Sequence, residues 1–347
     1  MNEELLIRLS NADAVASKES EVRDILKEEM CASSDEVMYD KIGSTIFHQR
    51  GTQEDGVKVM FCAHMDEVGF LVRHISEIGF LYLVTLGGVL DKAKENQRVR
   101  VTTAAGQKVY GILNVTKTDK GAVKEMYVDL GVDSKEEVAA LGVEIGDMVT
   151  FDSHCTPFNR PEVYAGKAMD DRTGCYVICE ALKRLKTLEH QADIYMAATS
   201  SEEVGVRGGK LATYRVNPDI VFAVDVANNP ELVKNYANHR LIGHGPMIVH
   251  YDRMLAPNEK LLRFVKETAK KHQIPYQADM FGGGGTDAGS AHLSREGKLA
   301  LVIGIPLRYC HAPWSLTHMA DLEHTIELIV RIATSLTKEK YQEFISF

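Results

Sequence analysis

The sequence predicts an α/β fold, a mixed central sheet sandwiched by helices, interrupted by a small inserted β-barrel-like domain. Three observations predict it. The run VKVMFCAH at 57–64 is apolar almost throughout, as expected of a strand covered on both faces. After about residue 160, strand-like and helix-like stretches alternate, the pattern of a parallel or mixed sheet packed between helices. From about Phe70 to Asp152, by contrast, short strand-like runs follow one another with little between them but Gly and polar turns, which reads as a compact all-β module.

The elements follow in order. Leu5, Leu6, Leu9 and Ala12, then Val22, Ile25 and Leu26, recur at helical spacing, so the first thirty residues read as mostly helical. The strand at 57–64 runs into HMDEVG, and ligands in open α/β sheets gather at the carboxyl ends of such strands. The module contributes FLVRHI, FLYLVTL, RVRVTT, KVYGILN, EMYVDLG and DMVTFD, with SKEEVAALG as its one helix. Then come helix RTGCYVICEALKRLK, strand ADIYMAAT, a short helix near Val206–Arg215, and strands DIVFAVDVA and GPMIVHY. Helix NEKLLRFVKETAKKH, strand LALVIGI and a long final helix from Asp321 complete the chain. The expected division is a catalytic α/β domain of residues 1–69 plus 160–347, with residues 70–159 as the inserted β domain.

Composition excludes several classes. A net charge of -9 argues against a phosphate-driven nucleic-acid binder. No stretch approaches the roughly 18 apolar residues of a membrane helix. The start, MNEELLIRLSNADAV, lacks the basic and apolar regions of a signal peptide, and six scattered cysteines without a CxxC pair fit a cytoplasmic protein.

Five motifs hold most of the polar residues that could do chemistry. In His64-Met-Asp66, at a strand end, the two side chains point the same way, so the imidazole could bind a metal while the carboxylate supports it. In Asp170-Asp171-Arg172, opening a helix, one carboxylate could bridge two metals while the other caps the helix or pairs with Arg172. Glu202-Glu203 follows a buried strand, where adjacent carboxylates repel unless a cation or proton intervenes; one could ligate and the other accept a proton. Asp225 lies within the apolar FAVDVA and needs a partner, which a metal, a helix N-terminus or an arginine could provide. His311, in RYCHAP, lies just beyond a strand. Each motif alone has an ordinary structural explanation. Together, two imidazoles and three carboxylates suit a pair of divalent ions sharing one bridge, with zinc, cobalt or manganese matching the donors.

HMDEVGF, GKAMDDRTG, SSEEVGVRGG, GGGGTDAG and RYCHAP, in this order across essentially the whole chain, resemble the M42 family of metallo-aminopeptidases. The resemblance implies that His64 and Asp225 hold one metal, Glu203 and His311 the other, and Asp170 both. It further implies a cis peptide between Asp170 and Asp171, Glu202 as general base, and Asp66 orienting His64. The implied reaction is release of N-terminal residues from short peptides by metal-activated water. A homo-oligomer, a dodecameric tetrahedron built largely through the β insertion, is implied in the same way. Which N-terminal residue is preferred stays open. A two-metal deacylase or carboxypeptidase is the alternative enzyme, and a non-catalytic assembly protein would be marked by lost ligands, whereas all five are present.

Other polar residues invite less. Gly282–Gly285, ahead of Thr286 and Asp287, lacks the GK[ST] of a phosphate loop and reads as an active-site loop. His292 reads as structural, and His154-Cys155 as a weak metal candidate. Asn238-His239-Arg240 and Arg308 are candidate specificity residues, since an arginine beside the first substrate side chain would favour acidic residues.

Overall fold

A computed structural model describes residues 2–229 and 240–346. Helices α1 (Glu3–Asn11) and α2 (Ser20–Met30) lead into β1 (Glu36–Tyr39), β2 (Thr45–Gln49) and β3 (Lys58–His64). The insertion carries β4 (Gly69–Ile75), β5 (Leu81–Leu86), β6 (Gln97–Thr102), β7 (Lys108–Lys117), β8 (Val123–Asp129), α3 (Lys135–Ala140) and β9 (Met148–Phe151). There follow β10 (Thr156–Pro157), β11 (Val163–Gly166), α4 (Met169–Leu185), β12 (Asp193–Thr199), α5 (Arg207–Val216) and β13 (Ile220–Asn229). The remainder is β14 (Met247–Val249), α6 (Glu259–Lys271), β15 (Gln277–Asp279), α7 (Asp287–Ala291), β16 (Leu299–Arg308), β17 (Ser315–His318), α8 (Met319–Ser335) and α9 (Lys338–Ile345).

The main sheet has the order β1-β2-β12-β3-β13-β16-β17-β11-β10, with β14 and β15 paired beside β16. Strands β12, β3, β13 and β16 run parallel at its centre and the outer pairings are antiparallel, so the sheet is mixed. Alternation along β3 shows why its sequence is apolar throughout. Val59, Phe61 and Ala63 join the core under α1, α4 and α8, while Met60 and Cys62 join the core under α5 and α7.

The insertion closes into a six-stranded barrel in the order β4-β5-β8-β7-β6-β9. Its own core includes Phe70, Val72, Leu81, Val99, Val101, Leu113, Val128 and Phe151, with Phe70 and Phe151 packed edge to face at 5.9 Å. Gly69 sits where barrel and α/β domain touch, and a Cβ there would lie 2.8 Å from Val15 Cγ1 and 2.9 Å from Val149 O.

Three details differ from the sequence expectation. The β1–β2 hairpin edges the sheet although its mixed polarity hid it. The strand within GPMIVHY is only three residues long. The final helix is two, because Leu336 adopts an extended conformation and Thr337 caps α9 through the Lys340 amide. Among the described residues, no helix is long and apolar enough to cross a membrane.

Candidate metal centre

Parallel register aligns the carboxyl ends of three central strands. His64, the last residue of β3, stands opposite Thr199, the last of β12, so the loop carrying Glu202 and Glu203 leaves beside it. Asp225 lies on β13, opposite Gly304 of β16. Asp170 and Asp171 stand at the start of α4 with non-helical backbone angles and a cis peptide between them. His311 lies just past β16. Ser201, Tyr309 and His311 have φ of +62°, +64° and +58°, a region that non-glycine residues seldom occupy and that clusters at functional sites.

The side chains converge on Asp170. Its Oδ1 lies 3.0 Å from His64 Nε2, and its Oδ2 lies 3.2 Å from His311 Nε2. His311 Nε2 is also 3.3 Å from Glu203 Oε1, and Glu202 Oε2 is 4.0 Å from His64 Nε2. Three overlapping sets have donor atoms mutually within 4.8 Å: His64, Asp171 and Asp225; His64, Asp170 and Glu203; Asp170, Cys310 and His311. They form two candidate metal-binding clusters, one around His64 and Asp225 and one around His311, with Asp170 between.

Backbone contacts fix this geometry. His64 Nδ1 is 2.9 Å from the Asp66 carbonyl, which leaves Nε2 free to face Asp170. The Asp66 carboxylate is 3.7 Å from the same ring and accepts instead from the amides of Glu202 (2.9 Å) and Glu203 (3.1 Å). Asp66 therefore touches both the β3 and β12 sides of the site. Asp171 accepts from the amides of His64 (3.1 Å) and Gly174 (3.0 Å), and a Cβ at position 174 would lie 2.4 Å from its Oδ1. The helix start needs glycine there.

Charge in the site is unbalanced. Burial and the neighbouring Asp170 raise the Asp225 carboxyl to about 7. Burial, together with Asp225, Asp287 and Glu203, pushes Glu202 well above the usual carboxylate range despite His64. Glu203 is raised by burial and by Asp170. Burial opposes ionisation of Asp170 too, but the hydrogen bonds from His311 and His64 outweigh it and hold that carboxyl low. His64 is raised in turn: burial works against its charge, and Asp170 and Glu202 more than compensate. Glu203 Oε1 is buried without a hydrogen-bond partner, and among the described residues the one hydrogen bond to the Asp225 carboxylate comes from the next amide in the chain, that of Val226. Oxygen and imidazole donors with surplus buried negative charge fit divalent cations.

The structure brings all five ligand candidates and Glu202 together. Arg172 turns away from Asp171: fully buried, it donates to the carbonyls of Leu9, Ala12, Ala14 and Met65 and to Glu67. Of the two specificity candidates described, Arg240 is engaged by Asp279 (2.7 Å) and the carbonyls of Asn228 and Met280, while Arg308 keeps a buried Nε without a partner. Asn238 and His239 lie outside the described residues. His154 is exposed near Asp152, and Cys155 is buried against Asn11. His292 caps the end of α7. Gly282–Gly284 face open space, whereas Asp287 after them is buried, taking hydrogen bonds from Thr199 (2.5 Å) and the Gly209 amide (3.0 Å).

Sequence reasoning missed Glu19 and Cys310. Glu19 accepts from Ser200 Oγ (2.6 Å) and the Ser201 amide (3.2 Å), holding the loop that carries Glu202. Cys310 Sγ lies 2.7 Å from Asp170 Oδ2. Only its place beside His311 hinted at this.

A family model described as M42 glutamyl aminopeptidase matches residues 43–328. The lysyl aminopeptidase of Pyrococcus furiosus is 34% identical over 324 residues, covering 88% of this chain and 89% of that protein. A TET aminopeptidase from a marine sediment Thaumarchaeota archaeon superposes with a TM-score of 0.94 at 36% identity, covering 99% of each chain. The Pyrococcus horikoshii TET1 peptidase, described as assembling into a tetrahedron or a large octahedral shell, has a TM-score of 0.86 at 28% identity, covering 97% of this chain and all of the other.

Proposed function

This chain belongs to the M42 glutamyl aminopeptidase family and is a metallo-aminopeptidase, and we propose that it releases N-terminal residues from short peptides at the site around Asp170. The observation that carries the reading is the placement of that carboxylate, with one oxygen toward His64 and the other toward His311. Two cations sharing one bridge call for this arrangement.

In this reading His64 and Asp225 would hold one ion, Glu203 and His311 the other, and Asp170 would contribute to both. Zinc or cobalt suits the donors best, with manganese third. When bound, the ions supply Lewis acidity toward the scissile carbonyl and lower the pKa of the attacking water. The rest falls to the chain's own groups. Glu202, already displaced toward proton affinity by burial, takes the water proton on its carboxylate and passes it to the nitrogen of the leaving amine. Asp66 holds the amides of Glu202 and Glu203, so base and ligand keep a fixed offset. Its carbonyl fixes the His64 ring.

The division into an α/β domain (1–69 plus 160–347) and an insertion (70–159) belongs to the same proposal, with the barrel serving assembly. The TET1 peptidase assemblies support a homo-oligomer, and we assign a dodecamer working in the cytoplasm.

The test uses the full chain, stripped by chelation and restored with zinc, cobalt or manganese in turn. Glutamyl, leucyl and lysyl p-nitroanilides are compared with their N-acetylated forms. Turnover of the free forms alone is expected, and equal turnover of blocked forms would overturn the reading. Light scattering reads the assembly, and a monomer would remove the dodecamer.

A further inference from the structure

We propose that Cys310 supplies a sulfur ligand on the His311 side of the metal centre and so biases this chain toward thiophilic divalent ions. The proposal rests on the two-ion reading above and adds a donor that reading does not use.

Three observations carry it. Cys310 Sγ lies 2.7 Å from Asp170 Oδ2, the same oxygen that lies 3.2 Å from His311 Nε2, and the donor atoms of the three residues are mutually within 4.8 Å. On the other flank of the imidazole, Glu203 Oε1 lies 3.3 Å from Nε2, in a side chain only 6% exposed, and has no hydrogen-bond partner. A thiol, an imidazole and a carboxylate with donor atoms mutually within 4.8 Å, on a ring whose other flank meets a second buried carboxylate, describe a cation position. The Cys310 backbone is also tethered, its amide donating to Asn228 Oδ1 at 3.3 Å.

The neighbouring cysteines differ. Cys62 Sγ faces the Phe222 carbonyl at 3.6 Å, and Cys175 Sγ faces the His64 carbonyl at 3.2 Å. Cys310 is half-buried and turned to a ligand side chain instead. On loading, its S–H bond breaks, a sulfur–metal bond forms and the proton leaves to buffer; no electrons are transferred. Thiolate favours zinc, cobalt and cadmium over manganese and magnesium, whereas a purely oxygen and imidazole site discriminates less.

The experiment uses the full chain in a Cys31→Ser background, which removes the exposed thiol, with and without Cys310→Ser and Cys310→Ala. Each protein is stripped, loaded with cobalt and assayed for metal content, and its near-ultraviolet absorption is recorded. Cobalt uptake is expected in all three, with a thiolate-to-cobalt charge-transfer band in the parent and none in either variant. Competition should agree: the preference for zinc over manganese falls about tenfold or more on Cys310→Ser. Full loading without the band, or a band that survives Cys310→Ser, overturns the sulfur ligand and leaves the two-ion reading standing. A parent that takes up no cobalt overturns both.

Discussion

Where the barrel meets the α/β domain, Asp13 accepts hydrogen bonds from Arg100 (2.6 Å), Lys108 (2.8 Å) and Thr150 (2.8 Å) and lies 3.0 Å from Lys167. Glu67 beside it accepts from Lys167 (2.6 Å), Arg172 (3.0 Å) and the Ala14 amide (3.2 Å). At the ends of β3, β12 and β13, by contrast, Asp170, Asp171, Glu202, Glu203, Asp225 and Asp287 face two imidazoles and, among the described residues, no lysine or arginine that pairs with them. Both groups are buried and both are rich in carboxylates. In the first, burial penalises Asp13, but Lys167, Arg100 and Lys108 outweigh it and hold the carboxyl far below its usual range. In the second, burial wins at Asp225, Glu202 and Glu203. Apart from Asp170, which the two imidazoles hold low, the sign of the displacement separates a junction whose charges close among themselves from a site that requires cations from outside.

The two groups are nevertheless joined. Arg172, which donates to Glu67, also donates to the carbonyl of Met65, the residue between His64 and Asp66. Lys167 lies three residues before Asp170 and is fully buried. The closed network thus grips the segments on which the open one is mounted, and variants can show whether the grip and the chemistry separate.

The sharpest separation is expected at Glu202. Glu202→Gln keeps the shape and removes the base, so kcat should fall by about 10²–10⁴-fold while metal content and melting temperature stay near those of the parent. Retained activity would take Glu202 out of the proton transfer, and loss of bound metal would make it a ligand.

The mirror-image result is expected at the junction. Asp13→Asn leaves Lys167 and Arg100 buried with too little negative charge, at a cost of about 3–5 kcal/mol of stability, read by denaturant unfolding. Folded protein at low temperature should keep its metal and its substrate KM. If Asp13→Asn lost metal while fully folded, the junction would belong to the site.

This contrast also explains what could be read from residues alone. VKVMFCAH revealed its strand because both faces are buried, and the dense short strands revealed the barrel, because these patterns are local. His64, Glu202, Glu203, Asp225 and His311 stood out because each ends, interrupts or follows a strand-like apolar run, and Asp170 because it opens a helix beside a second carboxylate. The Asp13–Glu67–Lys167–Arg172 network did not, since its members come from three separate segments and each looks like an ordinary surface charge. Arg172 shows the limit well. Beside Asp171 in sequence it suggested a local ion pair, yet the bend at the start of α4 sends it to Glu67 and Asp171 to backbone amides. Cys310 was hidden in another way, because a lone cysteine carries no spacing to read.

Acid should loosen the junction in a predictable direction. The Asp13 carboxyl is held low when folded, so its contribution is present above the unfolded value of about 3.9 and is lost as pH falls toward the folded one. Melting temperature should therefore drop as pH falls below about 4, and Asp13→Asn should show a shallower drop because that component is already gone. Parallel profiles for the two proteins would mean that Asp13 is not held low.

The smallest effect is expected at Arg240, which tests whether charge closure identifies a structural group even near the site. Its guanidinium donates to Asp279 and to the carbonyls of Asn228 and Met280, and it lies 4.9 Å over the ring of Phe281. A guanidinium committed in this way has little left for a substrate carboxylate. Arg240→Ala should therefore change the ratio of kcat/KM for glutamyl over leucyl anilides by less than about threefold, under about 0.7 kcal/mol. It should lower the melting temperature slightly through the lost contacts with Asp279 and Phe281. Arg308, with its unpartnered buried Nε, is the stricter comparison, because its side chain retains donor capacity. A tenfold loss of glutamyl preference in Arg240→Ala, with Arg308→Ala unchanged, would show that a closed pair can still read substrate. The sign of the local charge balance would then cease to separate structure from function in this protein.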